Sequence, residues 1–352
     1  MLERDNDVCM EKITIQGKTG TSRILVGESL PALSRYIPAA GVFIITDKNV
    51  AAYYHSEFPD FPVYVVEPGE KAKDFVVMTK IWNWLLDQGA DRSSFVAGIG
   101  GGVVCDLAGF VASTYMRGIP FGFVATSLLA QVDASVGGKN GVNLDGYKNI
   151  IGTFTQPEFV ICDTSMLKTL PDDEFRNGMA EVIKHALIKD AEKFKFLKNN
   201  RNAILNRERE AINHIVNRSV KIKAAIVQAD ELERGERRLL NFGHTWGHAV
   251  EKENKIPHGQ AVSIGMAFAI GLSMQMGYLK EKDYDEILAL LHDYGLPITA
   301  ELDNDRVFDT LLRDKKKEKN KMNFVLLKSI GDAFVKEMDT NVIKDFCMSF
   351  RT

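Results

Sequence analysis

Residues 95–114 read FVAGIGGGVVCDLAGFVAST. The opening residues are uncharged and read as a buried strand. Gly98, Gly100, Gly101 and Gly102 then make a turn, and the remainder reads as a helix. Glycines allow the backbone to approach a ligand closely. A helix N-terminus offers unpaired N–H groups and a positive dipole end to phosphate. The run does not fit GxGxxG followed by an acidic residue about 20 positions later. By itself it therefore suits a tight strand–helix turn as well as a nucleotide pyrophosphate site.

The neighbouring sequence repeats the same alternation. GVFIIT (41–46), FPVYVV (61–66), SFVAGI (94–99) and PFGFVAT (120–126) are β-rich runs separated by helical patterns. In KDFVVMTKIWNWLLDQG (73–89), Phe75, Met78, Trp82 and Leu85 recur at helical spacing and Gly89 ends the helix. Strands alternating with helices predict an α/β, doubly wound, mainly parallel sheet of Rossmann-like type. Ligands of such sheets bind beyond the carboxyl ends of the strands. TDKNV (46–50) and EPGEKAKD (67–74) each follow a strand, so Asp47, Asn49, Glu70 and Lys73 are candidates for ribose and phosphate contacts.

After Pro171 long helical patterns take over, at 172–199, 202–229, 243–254, 259–277 and 281–294. The expected organisation is an α/β domain over 1–171 and an α-helical domain over 172–352, with KMNFVLL and GDAFVKEM as a short hairpin. The 352 residues are 45% hydrophobic and 26% charged, with net charge −3. That balance suits a globular protein and excludes a general nucleic-acid binder, which carries a basic excess. No apolar run is long enough for a membrane span. MLERDNDVCMEK lacks the apolar centre of a signal peptide. Four scattered cysteines without a CxxC predict reduced thiols and a cytoplasmic protein.

Two further stretches carry chemistry. ATSLLAQVDASVGGKNGVNLDGYKNIIGTF (125–154) sets Asp133, Lys139, Asn143, Lys148 and Asn149 in glycine-rich sequence. Lysines and asparagines there suit a substrate bearing phosphate and carboxylate, as would Arg117; a polar surface loop is the plainer alternative. The second stretch is LNFGHTWGHAVEKENKIPHGQ (240–260), with His244, His248 and His258. GMAEVIKHALI (178–188) adds Glu181 and His185, four apart on one helix face, with Lys184 between them. Two histidines and a glutamate with an open position are a catalytic zinc arrangement. HxxxH without the intervening glutamate argues against a zinc peptidase.

Taken in order, GGGVVCDLAGFVASTYMRG, TSLLAQVDASVGGKNGVN, KNIIGTF, GMAEVIKH, LNFGHTWGHAVE, HGQAVSIGM and RDKKK resemble the 3-dehydroquinate synthase family of sugar phosphate cyclases. The resemblance implies an NAD-binding α/β domain, an α-helical metal domain, an active site between them and a homodimer. It implies conversion of 3-deoxy-D-arabino-heptulosonate 7-phosphate to 3-dehydroquinate and phosphate. Carried over by motif, the zinc (or cobalt) ligands are Glu181, His244 and His258, with His248 left for proton transfer and His185 for a structural role. The NAD contacts are Asp47, Asn49, Glu70, Lys73, Gly101, Gly102, Asp106, Thr126, Ser127, Lys139, Lys148 and Thr169. The substrate contacts are Arg117, Asp133, Lys139, Asn149, Lys184, Lys223, Arg237 and Asn241, with Lys315 or Lys316 also reaching the substrate.

The chain departs from the family pattern at Cys105, where glycine is common, at Asn140, where threonine is common, at Gln260, where glutamate is common, and in the loop NLDGYKN (143–149). Three other functions remain in view: a cyclase acting on glucose 6-phosphate or sedoheptulose 7-phosphate, a metal-dependent polyol dehydrogenase, and a non-catalytic NAD- and zinc-binding protein. The retained lysines and arginines favour a substrate carboxylate, and Lys139, Lys184, Arg237 and His248 favour catalysis.

Overall fold

The structure, a computed structural model, describes residues 10–145, 147–314 and 321–350. Lys315 and Lys316 lie outside them. The chain forms two compact units, Met1–Leu170 with Ile212–Glu231, and Pro171–Ala211 with Leu232–Thr352.

The first unit is built on a seven-stranded sheet. Its strands are β1 (Glu11–Gly17), β2 (Gly20–Val26), β3 (Val42–Asp47), β4 (Val63–Val66), β5 (Phe95–Gly100) and β6 (Phe121–Ala125). A separate antiparallel hairpin, β7 (Lys139–Leu144) with β8 (Tyr147–Phe154), precedes the seventh sheet strand, β9 (Phe159–Cys162). The order across the sheet is β1-β2-β9-β6-β5-β3-β4. Only β1 and β2 pair antiparallel; all other neighbours are parallel. The carboxyl ends of six parallel strands therefore share one edge. Between strands run α1 (Lys48–Tyr54), α2 (Phe75–Asp87) and α3 (Gly102–Thr114).

Central strands read as continuous apolar runs because both faces are covered. Every residue of β5 and β6 is buried. Their side chains join Leu25, Val42, Ile44, Phe159 and Ile161 in one apolar cluster. The hairpin β7–β8 replaces what the sequence suggested was loop over 139–154.

Among its described residues, the second unit is helical apart from one hairpin. It contains α4 (Asp172–Lys189), α5 (Ala191–Asn199), α6 (Arg201–Leu205) and the first residues of α7 (Arg209–Ala229). The rest of α7 belongs with the sheet unit, although its sequence lies well beyond residue 171. Then follow α8 (His244–Asn254), α9 (His258–Gln275), α10 (Glu281–Asp293), α11 (Asn304–Asp314), the antiparallel pair β10 (Lys321–Ser329) and β11 (Asp332–Asp339), and α12 (Thr340–Ser349). The helical pattern over 172–199 is interrupted at Asp190, whose carboxylate caps α5 by accepting from Lys193 N–H at 2.9 Å. The core centres on Trp246, stacked on Phe268 with ring centroids 4.3 Å apart. Truncating either ring would cost about 3–5 kcal/mol. Among the described residues no helix is long and apolar enough to cross a membrane.

Candidate active site: a nucleotide edge and a metal centre

At the carboxyl edge of the sheet, β5 ends in Gly100 and α3 starts at Gly102 with Gly101 as its N-cap. The capping glycine contributes no side chain, so the first N–H groups of α3 face outward for an anion. A Cβ on Gly101 would lie 3.4 Å from Ser127 Oγ, and one on Gly102 only 2.9 Å from Ala134 Cβ. Both positions keep a close approach open. Thr126 follows β6 and donates its N–H to Gly100 O at 3.0 Å, which ties the two strand ends together. Ser127 Oγ accepts from Ala130 N–H at 3.2 Å.

Behind this turn lies Lys73, nearly fully buried. Its ammonium donates to Asp106 Oδ2 at 2.6 Å and to Asn149 Oδ1 at 2.5 Å, with Glu70 Oε1 at 3.7 Å. Burial holds the Asp106 carboxyl above its ordinary range despite the pull of Lys73. Asp47 Oδ1 accepts from Asn49 and Val50 N–H, so this carboxylate caps α1 as well as standing at the end of β3. Thr169 is exposed and shares a 2.6 Å hydrogen bond with Tyr54 Oη. Lys139 and Lys148 are exposed on β7 and β8. Lys223, on the sheet-unit part of α7, is buried and donates to Asp133 Oδ1 at 2.6 Å.

Arg117 is not with this group. It is exposed at the far end of α3, about 20 Å along the helix from Gly102 at 1.5 Å per residue.

The histidine cluster lies wholly in the second unit. His244 is the first residue of α8 and His258 the first of α9. The two helices pack closely because glycines face each other: a Cβ on Gly265 would stand 1.8 Å from Gly243 O. Gly243 itself has φ 78°, a conformation that favours glycine. Glu181, on the buried face of α4, is 0% exposed. Its Oε1 lies 3.4 Å from His244 Nε2 and 3.6 Å from His258 Nε2. Its other oxygen is paired with the buried Lys184 ammonium one turn on.

Both rings are oriented from behind. His244 Nδ1 lies 3.2 Å from Phe242 O. A carbonyl only accepts, so Nδ1 carries the proton and Nε2 presents its lone pair towards Glu181. Burial, with Lys184 nearby, keeps this imidazole well below its usual pKa and so neutral. His258 Nδ1 is 3.4 Å from Glu251 Oε2. Burial alone would lower its pKa, but the bonds to Glu181 and Glu251 outweigh that and raise it to about 9. Glu251 was not singled out from the sequence; its signal was its place three residues after His248 on the same helix.

Glu181, His244 and His258 each offer an atom within 4.8 Å of the others, and so do His248, Glu251 and His258. The first set fits a small divalent ion better. It is more buried, and a tetrahedral ion with bonds of about 2.1 Å separates its ligand atoms by about 3.4 Å, close to the two distances found here. His248 is exposed, its ring centroid 5.1 Å from that of His244. His185 is fully buried on α4. Arg237 is buried in a 3-10 turn, and Asn241 Nδ2 at the end of that turn donates to Glu233 Oε1 at 2.6 Å.

Comparison with known proteins agrees with these features. Residues 63–177 match the family described as 3-dehydroquinate synthase N-terminal, and 178–317 match 3-dehydroquinate synthase C-terminal. The 3-dehydroquinate synthase of Dehalococcoides mccartyi (strain CBDB1) is 40% identical over 92% of this chain and 93% of its own. A crystal structure of 2-deoxy-scyllo-inosose synthase complexed with carbaglucose-6-phosphate, NAD+ and Co2+ superposes with TM-score 0.84 at 25% identity, over 97% of this chain and 100% of that one. The 2-epi-5-epi-valiolone synthase of Streptomyces hygroscopicus subsp. jinggangensis 5008, with NAD+ and Zn2+ bound, gives 0.84 at 26% identity, over 99% of this chain and 98% of that one. With the full-length likeness and the family motifs on one chain, the protein belongs to the 3-dehydroquinate synthase family.

Proposed function

We propose that this chain converts 3-deoxy-D-arabino-heptulosonate 7-phosphate to 3-dehydroquinate and phosphate, as a cytoplasmic homodimer using NAD and one divalent metal, zinc or cobalt. The observation that carries the chemistry is the buried Glu181 carboxylate, faced by two imidazoles on one oxygen and by Lys184 on the other. The family membership supplies the reaction class, a phosphate-eliminating carbon–oxygen lyase.

The first unit would hold NAD through the Gly101–Gly102 turn, Asp106, Thr126, Ser127, Glu70, Lys73, Asp47, Asn49, Lys139, Lys148 and Thr169. Bound there, NAD would supply a reversible hydride acceptor for the substrate alcohol, with none consumed over the cycle. The second unit would hold the metal through Glu181, His244 and His258. A metal bound there would supply Lewis acidity for a substrate hydroxyl and for the carbonyl that replaces it.

The remaining work falls to side chains of this protein. Phe242 O and Glu251 keep the two ligand rings turned, which fixes their tautomers. Lys184 pairs with one oxygen of Glu181 and would bind substrate. Asp133, Lys139, Asn149 and Lys223 in the first unit, and Arg237 and Asn241 in the second, would bind the anionic and hydroxyl groups of the sugar and fix its orientation. Arg117, placed apart from the others within its own unit, is given no role within a protomer. His248, exposed beside His244, would carry the hydroxyl proton away, a role that a positioned imidazole commonly fills.

The test is a phosphate-release assay on purified protein with 3-deoxy-D-arabino-heptulosonate 7-phosphate, with and without NAD and a chelator. Turnover that needs both, with no net NADH, is expected. Preference for glucose 6-phosphate or sedoheptulose 7-phosphate would reassign the substrate, and net NADH would indicate a polyol dehydrogenase.

A further inference from the structure

The ladder between β7 and β8 breaks at one place. Val142 faces Ile151 and Leu144 faces Tyr147, so Asn143 alone stands against Lys148, Asn149 and Ile150. Such a bulge takes ladder partners away from backbone N–H groups and re-aims the side chains on the bulged strand. Asn143 supplies a bond to Asn149 in place of the ladder and ties the bulge to Glu70 and Lys73. Its own N–H donates to Lys73 O at 2.9 Å. Its Oδ1 accepts from Asn149 N–H at 2.9 Å, and its Nδ2 donates to Glu70 Oε1 at 2.9 Å.

The geometry around it is demanding. Asn149 has φ 52°, in the left-handed region that disfavours residues with a side chain. In that conformation its Oδ1 accepts from Lys73 Nζ, which also donates to Asp106. Asn143 is thus bonded to Glu70, Lys73 and Asn149, which belong to the proposed NAD and substrate sets, while belonging to neither set itself.

We propose that Asn143 is a positioning residue. It holds the β7–β8 bulge in the shape that presents Lys73, Lys148 and Asn149, and so sets the affinity for dinucleotide and sugar phosphate without contacting either. This rests on the function proposed above. A merely structural part in the hairpin would alter stability and leave affinity alone.

The test uses Asn143→Leu, similar in size with no hydrogen bonds, and Asn143→Asp, which keeps the acceptor for Asn149 N–H but sets a carboxylate against Glu70. NAD affinity of the unmixed protein is measured by calorimetric titration. Amide hydrogen exchange is followed over 147–151 without ligand, together with the melting temperature and the KM and kcat for 3-deoxy-D-arabino-heptulosonate 7-phosphate. Asn143→Leu should weaken NAD about tenfold or more, the equivalent of one to two hydrogen bonds, and should raise KM more than it lowers kcat. Exchange over 147–151 should speed up while the melting temperature stays within about 3 °C. Asn143→Asp should keep exchange near that of the unaltered protein and still weaken NAD, and it carries the test if the leucine variant does not fold. NAD affinity within twofold of the unaltered protein in either folded variant overturns the proposal, as does lost affinity with unchanged exchange over 147–151 in Asn143→Leu. An unaltered protein that takes up no NAD instead overturns the function proposed above, and this role for Asn143 falls with it.

Discussion

At the scale of single residues, the three histidines of 240–260 separate by what stands behind each ring. His244 has a carbonyl at Nδ1 and His258 a carboxylate, so each turns Nε2 towards Glu181. His248 lies one turn along α8, exposed to solvent, where it can exchange protons. Replacing His244 with alanine removes one of three strong donors, and metal content after dialysis should fall to near zero. Replacing His248 should leave metal content unchanged and lower kcat by about 10²–10⁴-fold, the usual loss of a general acid or base. Metal analysis by atomic absorption beside steady-state kinetics separates the two; equal metal loss in both variants would place His248 on the ion. HxxxH spacing alone could not distinguish them, because residues four apart share a helix face whatever their roles.

At the scale of elements, Glu231 shows how a chain end is pinned. Its carboxylate accepts from Lys18 N–H at 2.6 Å, Thr19 Oγ1 at 2.5 Å and Gln156 Nε2 at 3.0 Å. It thereby joins the β1–β2 turn, the approach to β9 and the residues after α7. Burial would raise its pKa, but these hydrogen bonds prevail and hold it below the usual value. A depressed carboxylate contributes stability above its unfolded pKa, and that contribution disappears as pH falls through the folded one. Glu231→Gln should therefore lower stability by about 2–3 kcal/mol near neutral pH, given charge-assisted bonds of 1.5–3 kcal/mol. The gap between the two proteins should narrow as pH drops below about 4.5. Melting curves over pH 3–8 check this, and a gap independent of pH would contradict it. None of this clamp was readable beforehand, since a glutamate after a helix is usually solvated. The central strands were readable, because burial on both faces writes an unbroken apolar run. The hairpin over 139–154 was not: most of β8 is exposed, Gly141 faces Gly152, and the bulge at Asn143 breaks the alternation. The grouping of 212–231 with the sheet was equally hidden, because an apolar helix face does not name the element that covers it.

At the scale of the whole molecule, the two units carry separable ligand chemistries. The strand edge with the α3 N-terminus is built within the first unit, and Glu181, His244 and His258 are all within the second. A ligand that binds only the folded state stabilises what it touches by RT ln(1 + [L]/Kd), about 4 kcal/mol at a thousandfold excess over Kd. Local opening near each ligand should be suppressed accordingly, while regions without contacts change little. Adding zinc to metal-free protein should slow amide exchange in α4 and in the first turns of α8 and α9, with β5 and α3 unaffected. Adding NAD alone should slow exchange at 98–106, 126–130 and 70–74 and leave α8 unaffected. Hydrogen exchange read by mass spectrometry on the four states resolves these segments. The sequence carries the same division in a form that can be read: glycines at a strand end in the first half, and histidines set at two helix starts in the second. Slower exchange of α8 with NAD alone would mean that the dinucleotide also orders the metal ligands, and the two units would then have to be treated as one thermodynamic element.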